Sequence, residues 1–576
     1  MRDKDKSGNS YLGTLRGLRG TFLLVGFFSA IINLLMLTGP IYMLQVYDRV
    51  LSSGSVATLV GLFAAVVLLY GFLGIYDFLR ARLLSRAALR LDARVGDEAF
   101  RIALRAGTSS GRPRIDPGAQ PVRDLELVRG FLGSPAITGI FDLPWMPLFL
   151  ALVFLIHPWL GYLTLAGAGI VTVAALLNQY MAHASISRAM SLEGAERSLV
   201  DKARTDAETL HALGMRDRLV TRWRTVHDSA LAAAQVGSDR SEGFASFSKS
   251  FRLLLQSALL TMGAFLALRQ EITPGMIIAT SIIAGRALAP VDQVIGQWRA
   301  IGRAREAHSR LREIFGSLAA EKPRIELPAP VGDLSVTALT KLAPAGAVSS
   351  ADRTRILERV GFELSAGDGL GVVGNSAAGK STLARLLVGA WTPDAGEIRL
   401  DGATLDQWTP ETLGRHIGYL PQSLHMLPGS VGQNIARFDP EAKDGDVIEA
   451  ARIAGVHEMI LALPDGYATH MDQTNCPLSG GQIQRLGLAR AVFGAPHLIV
   501  LDEPNSNLDA DGDDALAEAI RTMRARGSIV VVMAHRPSAI AAVNKVLLLH
   551  KGRAARFGEK DQVLGTAPRP VSVVSG

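Results

Sequence analysis

The stretch Gly374 to Ser381, GNSAAGKS, has the spacing G-x-x-x-x-G-K-[ST]. It follows the apolar run Leu370 to Val373 and opens the amphipathic stretch Thr382 to Val388. A loop placed between a strand and a helix aims backbone N–H groups and a helix N-terminus at phosphate. Lys380 then reaches the outer phosphates of ATP and the Ser381 hydroxyl binds Mg²⁺, with Gly374, Asn375, Ser376, Ala377, Ala378, Gly379 and Thr382 completing the cradle. A second group of chemical residues follows the apolar run Leu498 to Leu501, which ends in Asp502 and Glu503. Carboxylates at the carboxyl end of a strand stand where ligands gather in α/β sheets. Asp502 suits Mg²⁺ coordination, and Glu503 suits a general base that polarises the attacking water, a contribution of about 10²–10⁴-fold in rate.

Between them lies Leu478, Ser479, Gly480, Gly481, Gln482, the pentapeptide LSGGQ. With this motif in place the sequence resembles the ABC transporters of the exporter type. The resemblance implies that the pentapeptide opens a helix which closes on the nucleotide held by a second subunit, giving two composite sites in a dimer. It also implies a role for Gln422, in YLPQ, in sensing Mg²⁺, for Asp509, in SNLD, in the dimer contact, and for His535, in AHRPS, as the γ-phosphate switch. An amide reaches metal and water together, and a neutral imidazole donates to phosphate.

These groups need an α/β domain to hold them, and the pattern from Leu334 to Gln562 supplies one: short β-branched runs such as GLGVVG, HLIVLDEP and SIVVVMAH alternate with helical stretches. The first half is different. Uncharged runs cover Thr21 to Tyr47, Ser52 to Tyr76, Leu143 to Ser187, Leu253 to Leu268 and Ile272 to Gly285. With about 20 apolar residues per span, the 45-residue run holds two helices, one of them starting near Pro135, and six spans result. Lys and Arg fall five in residues 1 to 20, eleven from Arg80 to Arg129 and eleven from Arg188 to Arg252, against Arg49 and Arg269 in the three short loops. That asymmetry places both termini and the two long basic loops in the cytoplasm. The net charge of +7 is therefore topology, and nucleic acid is not an expected partner. One cysteine, Cys476, excludes an intrachain disulfide framework or a thiolate metal cage.

The fold expected is a membrane all-α six-helix exporter domain followed by an α/β P-loop ATPase domain. Its divisions are a cytoplasmic segment at 1–20, a membrane domain at 21–321, a Pro-rich linker at 322–333, the ATP-binding domain at 334–565 and a tail at 566–576. The long cytoplasmic loops are expected to continue the membrane helices and to reverse at short helices near Pro121–Phe131 and Gly214–Trp223. Asn33, Asn178, Arg286 and Asp292 are polar residues within spans, where a substrate path or a helix–helix bond would put them, with either Asp292 or a passing unfolded polypeptide as the partner for Arg286.

The segments Asn33 to Leu51, Phe141 to Gly161, Leu427 to Phe438 and Leu501 to Asp509 look like those of the ATPase/permease of bacterial type I secretion systems. The resemblance, over roughly residues 20 to 560, implies a homodimer in the inner membrane that exports an unfolded protein carrying a C-terminal signal. It also implies a periplasmic adaptor protein and an outer-membrane tunnel protein as partners, beside membrane lipid. An N-terminal peptidase-like domain is not expected ahead of Thr21. Export of lipids or small amphipathic molecules shares every ATPase motif and stays open at this point, as does a nucleotide-gated regulator. Departures from the pattern are Ala343 where an adenine-stacking aromatic is usual, Gln473 and Pro477 before the pentapeptide, Ala377 and Ala378 in the P-loop, and Ile483 in place of a basic residue.

Overall fold

In the computed structural model the described residues are 10–106, 120–318, 327–343, 354–471, 478–534 and 540–565, with the side chains of 10, 106, 175, 178–180, 182–187, 240, 241, 317 and 318 also set aside. His535, Gln473, Cys476, Pro477, the tail and most of the linker thus lie outside the described residues, as does the Asn178 side chain. The chain forms two compact units, residues 1–104 with 118–321, and residues 105–117 with 322–576.

The first unit is helical. A short helix α1 (Ser10–Gly17) precedes α2 (Arg19–Leu35) and α3 (Thr38–Gln45), and a π-helical turn, Val46–Val50, carries the first span to Gly54 at φ +62°. Then come α4 (Val56–Ala106), α5 (Pro121–Leu132), α6 (Pro135–Asp142), α7 (Met146–Ile156), α8 (Pro158–Thr205), α9 (Arg216–Leu268), α10 (Pro274–Gly296) and α11 (Trp298–Leu318). Among the described residues five stretches are long and apolar enough to cross a membrane: Arg19–Ser53, Val56–Arg105, Pro135–Ile156, Arg216–Leu268 and Pro274–Gly296. The helix α8 adds a shorter apolar stretch, Pro158–Ala174, ahead of its residues with undescribed side chains. Along α4 the apolar side chains Val60, Phe63, Val67 and Leu68 are all more than half exposed, which suits a face in contact with hydrocarbon.

Polar side chains inside this unit bind helix to helix. The Arg80 guanidinium, 6% exposed, donates to both Asp142 carboxylate oxygens at 3.0 and 3.1 Å, to Ser29 Oγ at 3.0 Å and to Asp77 Oδ1 at 2.8 Å. Asn33 Nδ2 donates to Asp142 Oδ1 at 2.9 Å, so Asn33 is a link between spans. Asp292 accepts from Ser248 Oγ at 2.6 Å and from Arg252 at 2.9 Å, and the expected pairing with Arg286 does not form; Arg286 is exposed. The turn expected at Gly214–Trp223 lies earlier. Its helix is Ala207–Ala212, and Gly214, at φ +60°, stops it, so that Arg216 already begins α9.

The second unit holds a four-stranded antiparallel sheet and a six-stranded sheet. The first is ordered β2 (Arg355–Leu364), β1 (Leu334–Leu342), β4 (Ala395–Leu400), β5 (Ala403–Thr404). The second is ordered β10 (Arg553–Glu559), β9 (Lys545–His550), β3 (Gly369–Val373), β8 (Ile529–Ala534), β7 (Leu498–Asp502), β6 (Ile417–Leu420). All its pairings are parallel except β9 with β10. Every residue of β7 and β8 is buried, as expected for central strands covered on both faces. The helices α12 (Lys380–Leu387), α13 (Gly480–Val492) and α14 (Ala510–Ala525) turn apolar stripes inward; in α14 the stripe is Leu516, Ala519, Ile520 and Met523.

Candidate functional site

Parallel pairing aligns the carboxyl ends of four neighbouring strands. Val373 lies beside Ala534, Met533 beside Asp502, and Leu420 beside Leu501. The residues that follow those strand ends are the sequence-predicted ones: the P-loop after β3, Glu503 after β7 and Gln422 shortly after β6. His535 comes directly after Ala534 in the chain and lies outside the described residues.

The P-loop is shaped by close approach. A Cβ on Gly374 would collide with the Leu549 carbonyl oxygen, and one on Gly379, at φ +100°, would stand 2.7 Å from Leu357 Cδ2. Ala377 adopts φ +63° in spite of its methyl group, a conformation costing about 1 kcal/mol for a residue other than glycine. The loop's far side is pinned where Gly552 N–H donates to Ala378 O at 3.2 Å. In α12 the first helical bond runs from Leu383 N–H to Gly379 O at 2.9 Å, so the amides of the first turn stand outside the helical ladder at the loop. Asn375, Ser376 and Ala377 are exposed, while Ala378, Lys380 and Thr382 are buried. Lys380 Nζ donates to Gly374 O at 2.7 Å and to Asn375 O at 3.3 Å. Burial pushes its ammonium pKa down, opposed by the charges of Glu503 and Asp502.

Ser381 Oγ donates to Asp502 Oδ1 at 3.2 Å. The Asp502 carboxyl is 2% exposed, and burial pushes its pKa up against the bond from Ser381 and the nearby Arg385 and Lys380. A hydroxyl and a carboxylate held together are hard oxygen donors of the kind Mg²⁺ takes, leaving most of its shell to phosphate and water. Among the described residues no group of three or more His, Cys, Asp or Glu side chains is placed to hold a metal ion.

Glu503 sits at φ +53° with its N–H bonded to Met533 O at 3.1 Å, an uncommon conformation that turns the chain at the strand end. Its Oε2 accepts from Gln422 Nε2 at 3.0 Å. The two residues therefore meet from strands β7 and β6.

The pentapeptide starts α13. Ser479 is its N-cap: Ser479 Oγ accepts from Gln482 N at 3.4 Å, and Gln482 Oε1 accepts from Ser479 N at 2.8 Å. A Cβ on Gly481 would stand 2.7 Å from Asn507 O, whereas one on Gly480 would meet nothing within 4 Å. Leu478 is buried in the core, and Ile483 packs against the same core, which explains an apolar residue there. Asp509 caps α14 by accepting from Gly512 N at 2.9 Å. Ala343, half-buried at the end of β1, presents only a methyl group.

Two residues that sequence reasoning missed tie these parts together. Gln484, 8% exposed, donates to the carbonyls of Glu503 and Pro504 and accepts from Asn507 N at 3.0 Å, so α13 is bolted to the loop after Glu503. Arg437, at φ +54°, donates to the carbonyls of Gly414, Ile417, Arg490 and Ala491 at 2.7 to 3.1 Å. It thereby joins the last turn of α13 to the start of β6. Burial pushes its guanidinium pKa down to about 10. A polar residue in LSGGQIQ was visible; its inward direction was not.

Residues 22–288 match the ABC transporter transmembrane region and residues 357–506 the ABC transporter family. The chain is 42% identical over 559 residues, 97% of its length and 95% of the relative's, to the type I secretion system ATP-binding protein PrsD of Rhizobium meliloti (strain 1021). It is 27% identical to the α-hemolysin translocation ATP-binding protein HlyB of Escherichia coli O157:H7, over 93% of this chain and 75% of that one. Its fold matches that of a bacterial Atm1-family ABC exporter with ATP bound, with a TM-score of 0.79 and 21% identity, covering 95% of this chain and 96% of that one. An exporter-type membrane domain followed by an ABC ATPase, at this level of identity over nearly its whole length, makes the chain a member of the type I secretion ABC transporter family.

Proposed function

We propose that the chain is the inner-membrane permease and ATPase of a type I secretion system, exporting an unfolded protein with a C-terminal signal. It works as a homodimer, with both termini cytoplasmic, together with a periplasmic adaptor and an outer-membrane tunnel protein. The observation that carries the ATPase part is the Gln422–Glu503 contact at 3.0 Å beside Ser381–Asp502 at 3.2 Å, at one edge of one sheet.

In the reading this supports, the P-loop amides and Lys380 hold the phosphates of ATP. Ser381 and Asp502, with Gln422, would hold Mg²⁺, which supplies charge neutralisation on the phosphate oxygens. Glu503 accepts the proton of the attacking water, Gln422 orients the carboxylate, and His535 donates to the γ-phosphate. Ser479 to Gln482 of one subunit close over the nucleotide on Lys380 of the other, with Asp509 at the dimer contact. Each closure draws on the membrane helices through the cytoplasmic extensions.

The test compares proteins in the culture medium of cells carrying the native gene and cells carrying Glu503→Gln, at matched expression. Loss of one or a few proteins with intact C-termini from the mutant medium is the expected result. Identical media, with both chains present in the membrane, would overturn protein export and favour a lipid or small amphipathic substrate.

A further inference from the structure

The last span, α10, carries a charge that neither the ATPase chemistry nor the packing uses. Arg286 lies near the middle of Pro274–Gly296. Asp292, the carboxylate nearest to it in sequence, is taken by Ser248 Oγ at 2.6 Å and by Arg252 Nη1 at 2.9 Å. Among the described residues Arg286 has no carboxylate or carbonyl partner. A guanidinium within a span is costly in hydrocarbon, so such groups face other protein or an aqueous path.

The surroundings of α10 decide which way Arg286 faces. This helix packs against α3, α6, α7, α8 and α9, and it is the most covered of the five long apolar stretches. Ile283, Ala284, Ala287 and Leu288 are sealed into one core with α7, α8 and α9. From Gly275 to Ile295 the one exposed residue is Arg286, so α10 shows no large exposed apolar side chain of the kind that α4 turns to hydrocarbon. Ile282, Gly285, Ala289 and Gln293 stand on the same side of the helix as Arg286 and are only partly covered. The Gln293 amide is bonded to Pro135 O at 3.0 Å and to Thr138 Oγ1 at 3.2 Å, both on α6. The result is a narrow open stripe along the axis of an otherwise enclosed span, with one uncommitted cation in it.

We infer that Arg286 is a contact point for acidic segments of an unfolded polypeptide passing along α10, and that it gives the path a preference for carboxylate side chains. Apart from the guanidinium the stripe offers small or apolar surface and an amide already bonded, so it holds no fixed shape and suits an extended chain. A guanidinium takes a carboxylate in two parallel bonds. As the chain advances, each new carboxylate replaces the last, a contact favourable enough to enter and weak enough to leave. The inference rests on the protein-export reading above and names a residue by which that path selects.

The test uses the full-length chain in detergent with Cys476→Ser and Ala289→Cys, so that one thiol stands on the stripe beside Arg286. Two peptides of equal length each carry a central maleimide; in one Gly alternates with Asp, in the other with Asn. The ratio of their labelling rates cancels any effect of Arg286 on the thiol itself. With Arg286 in place the Asp peptide is expected to label about three- to tenfold faster, as a charge-assisted contact favours it. Arg286→Gln should make the two rates equal, Arg286→Lys should keep most of the preference, and Arg286→Glu should reverse it.

Equal rates with Arg286 in place overturn the inference and leave a carboxylate of a second copy as the partner of the guanidinium. A preference that survives Arg286→Gln overturns it too, because the selecting charge then lies elsewhere on this basic chain. So does a thiol that neither peptide labels, since the stripe is then closed to polypeptide. Should Arg286→Gln fail to accumulate, Arg286→Lys and Arg286→Glu decide: opposite preferences support the inference, and the same preference in both overturns it. Failure of protein export itself shows separately, as unchanged culture medium in the Glu503→Gln strain.

Discussion

Gln484 holds the main chain of Glu503: its amide donates to the Glu503 carbonyl at 3.1 Å while its Oε1 accepts from Asn507 N at 3.0 Å. The helix capped by Ser479 and the strand end that carries Glu503 are thus one corner. In the dimer proposed above, any displacement of the pentapeptide by the opposite nucleotide is felt at Glu503. Gln484→Leu takes the side-chain partner from three main-chain groups at once, the Glu503 and Pro504 carbonyls and the Asn507 amide. It should destabilise the ATPase unit by about 1–3 kcal/mol, seen as a lower midpoint in chemical unfolding. It should also lower kcat more than it raises KM for ATP, whereas an unchanged kcat would separate the corner from the chemistry.

Glu503→Gln keeps the size of the side chain and an oxygen for the contact with Gln422 while losing the proposed base. Hydrolysis should fall at least about 10²-fold, with MgATP still bound. Single-turnover measurements on the purified chain decide this, and near-native turnover would sink the assignment.

Ala377 and Gly374 should respond in opposite senses. At Ala377, with φ +63°, a glycine fits the backbone better, and Ala377→Gly should leave stability unchanged or raise it by up to about 1 kcal/mol. At Gly374 a methyl group meets the Leu549 carbonyl, so Gly374→Ala should abolish nucleotide binding. Fluorescent nucleotide titration and thermal unfolding of the same preparations check both.

Asp502 makes a testable exchange of stability for function. Burial raises its folded-state pKa, so the neutral carboxyl favours the fold. That contribution is fully present below the unfolded-state pKa and is lost as pH rises through the raised folded-state value. Above that value the ionised, buried carboxylate is a cost. Asp502→Asn should therefore raise the melting temperature of the nucleotide-free protein at pH 7 and lose the advantage at acid pH, while Mg²⁺-dependent hydrolysis disappears. A melting temperature that falls at pH 7 would show that the Ser381 bond outweighs burial.

The legible part of this protein is the part written in local sequence. GNSAAGKS, the apolar run before Asp502 and LSGGQ each specify their own strand end or helix start, and the structure places the first two at one sheet edge. The five long apolar helices were legible from uncharged runs, because lipid tolerates little else. What was not legible is pairing at a distance. Arg286 and Asp292 lie close in sequence, yet Asp292 turns to Ser248 and Arg252 on α9. The second reversal was misplaced because Gly214, rather than the apolar pattern, ends the helix. Gln484 and Arg437 act on main-chain carbonyls, which carry no sequence signature of their own.

The Arg80–Asp142 pair also imposes an order on how the protein is made. Arg80 emerges from the ribosome with Asp77 and Ser29 already synthesised, but Asp142 follows 62 residues later. Until then a cation at the edge of the second span has only a neighbouring carboxylate and one hydroxyl to satisfy it, and full burial is unfavourable. The first two spans alone therefore leave the Arg80 site without its two-oxygen partner. The site is complete only once the third span has brought its carboxylate, which ties the three helices into one unit of assembly.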